Sequence, residues 1–361
     1  MENLELSSDS FWNNKKVLIT GHTGFKGSWL SLWLYSLGAK VFGYAFPPEE
    51  ETSLFNVLNL QEKIEKSFYG DIIDKEIFED FIIKSEPEII FHLAAQPLVR
   101  VSYLNPLKTL ETNIMGTSNL LNVAMKIKSL KSIVNITSDK CYENSEKEVL
   151  YNEDDPLGGE DPYSASKACA EIVTTAFRKS FLNEKNIFLA SARAGNVIGG
   201  GDWAKDRLIP DLLKAIENNK ELIIRYPEAT RPWQHVLEPL KGYMILAERL
   251  FKDGSKFSEG WNFGPNISDN KTVMEVVKLA EKISNKNFSW KLDRSPNFKE
   301  ASLLNLDCAK SKQKLGWNSK LNLEQALGLV FEWQLAFNSK SDMSNFTLDQ
   351  IKNYQNKFNE N

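Results

Sequence analysis

Only three cysteines occur in 361 residues, and Cys141, Cys169 and Cys308 are too widely separated, and odd in number, for a disulfide framework or a metal knuckle. Each is expected to be a small apolar side chain, and no metal site is expected. Long hydrophobic runs are also missing. The most apolar stretch, Trp29 to Ala39, is broken by Ser31, Ser36 and Gly38 and falls short of the ~18 residues a membrane span needs. The N-terminus opens on acids and asparagine instead of a basic segment followed by an apolar one, so no secretory signal is visible and the cytoplasm is the expected address. Positive charge is not in surplus. The 44 Lys+Arg face 48 Asp+Glu, a net charge of −4 with no basic stretch, which argues against a nucleic-acid partner held by a field.

What is present is a length suited to one large or two ordinary domains and a regular alternation in the first half. Short β-branched runs, Lys16 to Thr20, Lys40 to Ala45, Lys66 to Tyr69, Glu88 to Leu93, Lys131 to Thr137 and Ile187 to Ala192, read as strands. Between them lie helix-period segments near 27–37, 74–84, 106–128 and 162–182. Strand, helix, strand in repetition predicts a doubly wound parallel sheet, an α/β fold. Past Ala192 the texture changes to a Gly- and Pro-punctuated stretch, Ala194 to Pro210. Shorter elements follow: helices near 207–218, 236–251, 271–285 and 322–337, and a strand near 221–225, with Trp261 to Gly264 able to return to the large sheet. We expect a dinucleotide-binding domain at 1–193 with a return segment at 236–266, a smaller interleaved mixed α/β domain at 194–235 and 267–345, and a peripheral, frayed tail helix at 346–361.

Directly after the first strand comes Thr20-Gly21-His22-Thr23-Gly24-Phe25-Lys26-Gly27, opening an apolar helix. Glycine is needed there for a tight turn, for close approach of a pyrophosphate, and for helix packing against the strand, while the helix N-terminus offers free N–H groups. The spacing resembles the T-G-x-x-G-x-x-G of the extended short-chain dehydrogenase/reductase family, whose Rossmann-type fold binds NAD. That resemblance places Gly21, Thr23, Gly24, Phe25, Lys26 and Gly27 at the cofactor, with Asp71 and Ile72 after the third strand beside the adenine. It assigns Leu93, Ala94, Ala95 and Gln96 after the fourth strand, and Asn113 in Asn-x-x-Gly-Thr, to the same ligand. The second strand ends Gly43-Tyr44-Ala45-Phe46 with neither an acid for a ribose 2′-hydroxyl nor an arginine for a 2′-phosphate. NAD in preference to NADP is therefore what the resemblance implies, not what the strand dictates.

Tyr163-Ser164-Ala165-Ser166-Lys167 puts a phenol and an ammonium on one helical face after Asp161-Pro162. A cation there is expected to lower the phenol pKa from about 10 so that the phenolate can take a proton from a sugar hydroxyl. The fifth strand ends Thr137-Ser138-Asp139-Lys140-Cys141. Ser138 completes the family's triad, and two adjacent ionisable residues after it resemble the nucleotide-sugar 4,6-dehydratases, whose usual pair is Asp-Glu. Loss of water across C5 and C6 of a sugar needs a base and an acid. Lys140 in the second position favours the charged pair with Asp139 by roughly 9 kcal/mol in water, so either the site offsets that and Lys140 is the C5 base, or Lys140 only orients Asp139.

Lys140, the segment Gly21 to Leu30, Ala192-Arg193-Ala194-Gly195-Asn196 through Trp203, and Arg231-Pro232-Trp233-Gln234-His235-Val236 resemble the branch of these dehydratases acting on CDP-glucose. The resemblance implies CDP-glucose as the substrate and a homodimer through the helices near 106–128 and 162–182. Substrate contacts are expected from Gln96, Ser138, Asp139, Asn196, Arg207 and Arg231, the guanidinium forks suiting phosphate oxygens. His22 and His235 read as structural hydrogen-bonders. A 4,6-dehydratase acting on another nucleotide-glucose, a nucleotide-sugar 4-epimerase, without elimination, and a catalytically silent NAD-binding regulator are the alternatives.

Overall fold

The computed structural model describes residues 9–144, 149–293 and 304–359. Seven parallel strands form the large sheet: β1 (Lys16–Thr20), β2 (Lys40–Ala45), β3 (Lys66–Tyr69), β4 (Ile89–His92), β5 (Ser132–Ile136), β6 (Phe188–Ala194) and β7 (Gly260–Phe263). Their order is β7-β6-β5-β4-β1-β2-β3, so the winding reverses between β1 and β4. Period-two alternation assigns each residue to a face. Val17, Ile19, Ile89, Phe91, Val134 and Ile136 join a core with Trp29, Trp33, Leu240 and Tyr243 from helices Phe25–Ser36 and Leu237–Asp253. Leu18, Ile90 and Ile133 pack on the other face against Phe78, Phe81, Leu120 and Leu121 of helices Lys75–Ser85 and Gly116–Ala124.

Every strand and helix expected in the first half forms, with ends shifted by a few residues. The segment near 106–128 is interrupted, running as helix Pro106–Leu110, a π turn over Glu111–Met115 and helix Gly116–Ala124. The return segment is also present, because Trp261 of β7 pairs in parallel with Ala192 of β6.

The smaller half has its own sheet, in which Thr230–His235 runs parallel to Asn196–Ile198 and antiparallel to Asn270–Thr272. Ile198, Ile209, Trp233, Val276 and Leu327 close a separate core between that sheet and the helices Leu208–Asn218, Val273–Ser284 and Leu323–Asn338. The last two helices begin with reciprocal capping boxes, Thr272 with Glu275 and Asn322 with Gln325, which satisfy otherwise orphaned N–H groups.

The tail is not peripheral. Helix Met343–Asn359 buries Ile351, Tyr354 and Phe358 in the main core, with the Tyr354 ring edge-on to Trp33 at 5.9 Å. Its phenol donates to buried Glu238 Oε2 at 2.8 Å, while the backbone N–H groups of Lys320 and Leu321 donate to Oε1. Helical spacing disclosed the helix, but not that the groove between helices Phe25–Ser36 and Leu237–Asp253 would receive it.

Burial pushes the Glu238 carboxyl up to about 7, against the pull of those donors. A carboxyl with a raised folded pKa keeps its proton in the native state, so its contribution to stability is full below the unfolded value near 4.5 and is lost as pH rises through about 7. Glu238→Gln is therefore expected to flatten the fall in melting temperature between pH 5 and 8. Parallel wild-type and variant curves over that range would remove Glu238 as the titrating group.

Candidate active site

At the reversal between β1 and β4 the two strand ends lie side by side, and Thr20 Oγ1 bonds His92 Nδ1 at 2.7 Å and accepts from Ala94 N–H at 3.2 Å. A ligand crevice opens at such a point in doubly wound sheets. Gly21 adopts φ +76°, and a Cβ there would meet the Ala94 backbone N at 2.8 Å; a Cβ on Gly27 would come within 2.1 Å of the Gly21 carbonyl oxygen. The helix starting at Phe25 is thus drawn against the turn as closely as backbone permits, its first N–H groups facing the crevice. The His22 ring fills the space beneath, with Nε2 on Ser67 Oγ at 2.7 Å, and burial lowers its pKa to about 4. It is a neutral packing group, as is His235, which burial lowers to about 3.

A single cleft of about 830 Å³ runs from this turn across the ends of β4 and β5 into the smaller half. Gly21, Thr23, Gly24, Phe25, Lys26, Gly27, Asp71, Ile72, Leu93, Ala94, Ala95, Ser138, Asp139, Lys140, Tyr163, Lys167, Asn196, Arg207 and Arg231 line it. Gln96 and Asn113 do not. Asn113 Oδ1 accepts from Gln96 N–H at 2.8 Å and Asn113 Nδ2 donates to Ser166 Oγ at 2.8 Å; the Gln96 amide is spent on Leu98 and Thr109. Both hold the 94–98 loop to the Tyr163 helix and shape the cleft from behind. Asp71 is half committed already, to Ile73 N–H and to Lys108 Nζ at 3.0 Å.

Asp161 caps helix Pro162–Phe177 by accepting from Ser164 N–H at 2.9 Å, with Pro162 at the first helical position. That start aims Tyr163 and Lys167 at the end of β5. Lys167 Nζ lies 6.0 Å from the Tyr163 ring centre and donates to the Ile136 carbonyl at 3.4 Å. The expected lowering of the phenol pKa is reversed in this state. Burial dominates and raises Tyr163 to about 12, Ser138 pulling it down and Asp139 pushing it up, while burial lowers Lys167 to about 8.

Ser138 accepts from Lys140 N–H and donates to Asp139 Oδ1 at 2.9 Å. Asp139 is buried, and burial raises its carboxyl above the ordinary range despite the nearby charges of Lys140 and Arg231. The structure thus moves the acid in the direction that elimination needs. Lys26, brought in by the glycine turn, is lowered to about 8 by burial and then by Arg207 and Lys167.

Two groups under the site escaped the sequence reading. Glu171, one turn past Lys167, accepts from the Thr137 and Ser191 hydroxyls and from Arg193 Nε at 3.0 Å and Nη2 at 2.8 Å. Burial alone would raise Glu171; Arg193 and the two hydroxyls outweigh it and hold the carboxylate ionised. The i, i+4 spacing from Lys167 was the available signal. Arg100 and Arg225 also line the cleft, and nothing in their local sequence marked them.

Residues 18–329 match the family model described as GDP-mannose 4,6 dehydratase, and the chain belongs to that family. It is 51% identical over 350 residues to a CDP-glucose 4,6-dehydratase of Salmonella typhimurium, covering 96% of this chain and 97% of that one. Among solved structures, a dTDP-glucose 4,6-dehydratase from Bacillus anthracis in complex with NAD has a TM-score of 0.75 at 22% identity, with 90% and 98% of the two chains covered. A UDP-glucose 4-epimerase from Thermotoga maritima with UDP-glucose has a TM-score of 0.78 at 24% identity, covering 89% and 99%. Those two share the fold.

Because a Cβ at position 27 collides with backbone rather than with a pliable side chain, Gly27→Ala must shift the turn. An overpacking cost of about 1–3 kcal/mol is expected, read as a lowered melting temperature together with weakened dinucleotide binding in a fluorescence titration. An unchanged melting curve and affinity would show that the contact is not needed.

Proposed function

We propose that the chain converts CDP-D-glucose to CDP-4-keto-6-deoxy-D-glucose and water, with NAD held in the glycine turn. The observation that carries this reading is Asp139-Lys140 placed directly after Ser138 in the same cleft as Tyr163 and Lys167, in a chain half identical to a CDP-glucose 4,6-dehydratase over nearly its whole length. An epimerase has no use for an acid and a base beyond C4.

The cradle fits a dinucleotide: the positive φ at Gly21, the absent Cβ at Gly27 and the helix N-terminus at Phe25 leave room and N–H donors for a pyrophosphate. Bound NAD supplies a hydride acceptor for C4 that is restored when hydride returns to C6 in the same turnover. Tyr163 Oη takes the 4-hydroxyl proton, helped by the Ser138 hydroxyl and by the positive charge of Lys167. With C4 a ketone, the C5 proton becomes acidic and passes to Lys140 Nζ. Asp139, whose carboxyl burial raises, delivers a proton to the departing C6 hydroxyl, and the Lys140 ammonium returns its proton to C5 as C6 accepts hydride. Asn196, Arg207 and Arg231 would hold the diphosphate.

The separate cores of the two halves support a dinucleotide domain of 1–193 with 236–266, and a substrate domain of 194–235 with 267–345. We place the enzyme in the cytoplasm, since all three cysteines are free thiols; among the described residues no helix is long and apolar enough to cross a membrane. A homodimer through the helices near 106–128 and 162–182 is supported by the exposure of Leu107, Met115, Ile172 and Phe181 along them.

Purified protein offered CDP-, dTDP-, UDP- and GDP-glucose should form a 4-keto product from the CDP sugar. Turnover of dTDP-glucose alone would overturn the substrate and spare the reaction class. Tyr163→Phe and Asp139→Asn should each lower turnover by about 10²–10⁴. In deuterium oxide Lys140→Met should lose exchange at C5; rapid exchange in that variant would assign the proton to another base. Ile172→Arg should convert a dimer to a monomer in light scattering, and an unaltered mass would move the interface elsewhere.

A further inference from the structure

The loop 202–207 crosses the cleft and carries two aspartates, each gripping arginine. Asp202 Oδ2 accepts from Arg207 Nη1 at 2.9 Å. Asp206 gathers more: its Oδ1 accepts from Arg100 Nη1 at 3.0 Å and from Arg225 Nη1 at 3.0 Å, and its carbonyl accepts from Arg225 Nη2 at 2.7 Å. Arg100 stands on helix Val99–Leu104, which follows β4 of the large sheet, and Arg225 follows strand Leu222–Ile224 of the smaller half. One carboxylate oxygen therefore draws a guanidinium from each wall of the cleft, and all three residues line it.

Asp206 reaches this position at φ +63°, in the left-handed region that costs a non-glycine residue energy. Its side chain is 51% exposed, so the ion pairs it forms are weak ones, easily exchanged. Arg100 and Arg225 each bring a guanidinium fork to the same carboxylate oxygen. Phosphoryl oxygens, which bind such forks in pairs and carry more charge, match the arrangement better.

We propose that Arg100 and Arg225 clamp the phosphoryl oxygens of the incoming nucleoside diphosphate, and that Asp206 is a built-in stand-in anion displaced when the ligand enters. The inference rests on the substrate reading above. Asp206 keeps two positive charges from repelling one another across an empty cleft, and its release lets the same two side chains draw the walls together on the ligand. The acidic loop also sets a threshold, because a ligand with a single negative charge gains little by replacing a carboxylate.

The test is calorimetric titration of the full chain, saturated with NAD, using CDP as the probe. Asp206→Asn preserves the left-handed backbone, which asparagine tolerates, and removes the competing charge; CDP should bind about two- to tenfold tighter. Arg225→Gln should weaken CDP about tenfold, and the gain from Asp206→Asn should shrink in the double variant, as coupled residues require. Unchanged or weaker CDP binding in Asp206→Asn, or a full gain in the double variant, overturns the clamp. A change in NAD affinity with none in CDP affinity would assign the two arginines to the cofactor and also overturn it. Inorganic pyrophosphate separates the two readings: if wild type ignores CDP yet Asp206→Asn tightens pyrophosphate, the clamp stands and the cytidine substrate falls.

Discussion

The site depends on one buried ion pair. Glu171 and Arg193 are both shielded from water, at 1% and 5% side-chain exposure, and the carboxylate accepts from donors at the ends of two neighbouring strands. Thr137 ends β5, Ser191 and Arg193 belong to β6, and Glu171 itself rides on the helix that bears Tyr163 and Lys167. Arg193 passes the linkage on through the Tyr142 hydroxyl to Asn262 of β7. A pair removed from water this completely stabilises only when its geometry is complete, so the strand end carrying Ser138 and Asp139 and the helix carrying the phenol are held in one mutual position. Glu171 also places a fixed negative charge one turn from Lys167, countering the burial that would otherwise discharge it further.

Much of the fold was legible because parallel strands buried on both faces leave an apolar run that few other structures require, and all six strands expected in the first half sit in the large sheet. The glycine turn was equally legible: Gly21 and Gly27 answer to backbone geometry, which local sequence encodes. Tyr163, Lys167, Asp139 and Lys140 were legible from spacing and resemblance together. Gln96 and Asn113 were expected at the ligand, and the structure bonds each to the other, because sequence shows which polar groups exist and not which partners they find. The tyrosine pKa was misjudged for a related reason. Proximity to a cation is written in a four-residue spacing, whereas burial, the larger effect, is decided by elements far away in the chain. The packed tail and two arginines of the cleft, Arg100 and Arg225, were illegible on the same grounds.

The charges of the cleft repeat a pattern. Lys26, Lys140, Lys167, Arg100, Arg207, Arg225 and Arg231 face Asp139, Asp202, Asp206 and Asp211 across one volume. A chain with net charge −4 does not attract a diphosphate by its overall field; it concentrates cations in one crevice, where Arg207 pairs with Asp202, and Arg100 and Arg225 with Asp206.

The tail helix carries a consequence for how the molecule is made. Tyr354 meets Trp33 and Glu238, and Ser344 donates to the Leu58 carbonyl, so a segment made late in synthesis seals the helix Phe25–Ser36, which is made early. Likewise Trp333 lies against Gly200, in the loop that leads to the cleft. The amino-terminal sheet can pair its first strands during synthesis, but one face stays open, with apolar surface exposed, until residues 343–359 have been made. A chain truncated before residue 343 lacks the plug for its own earliest core.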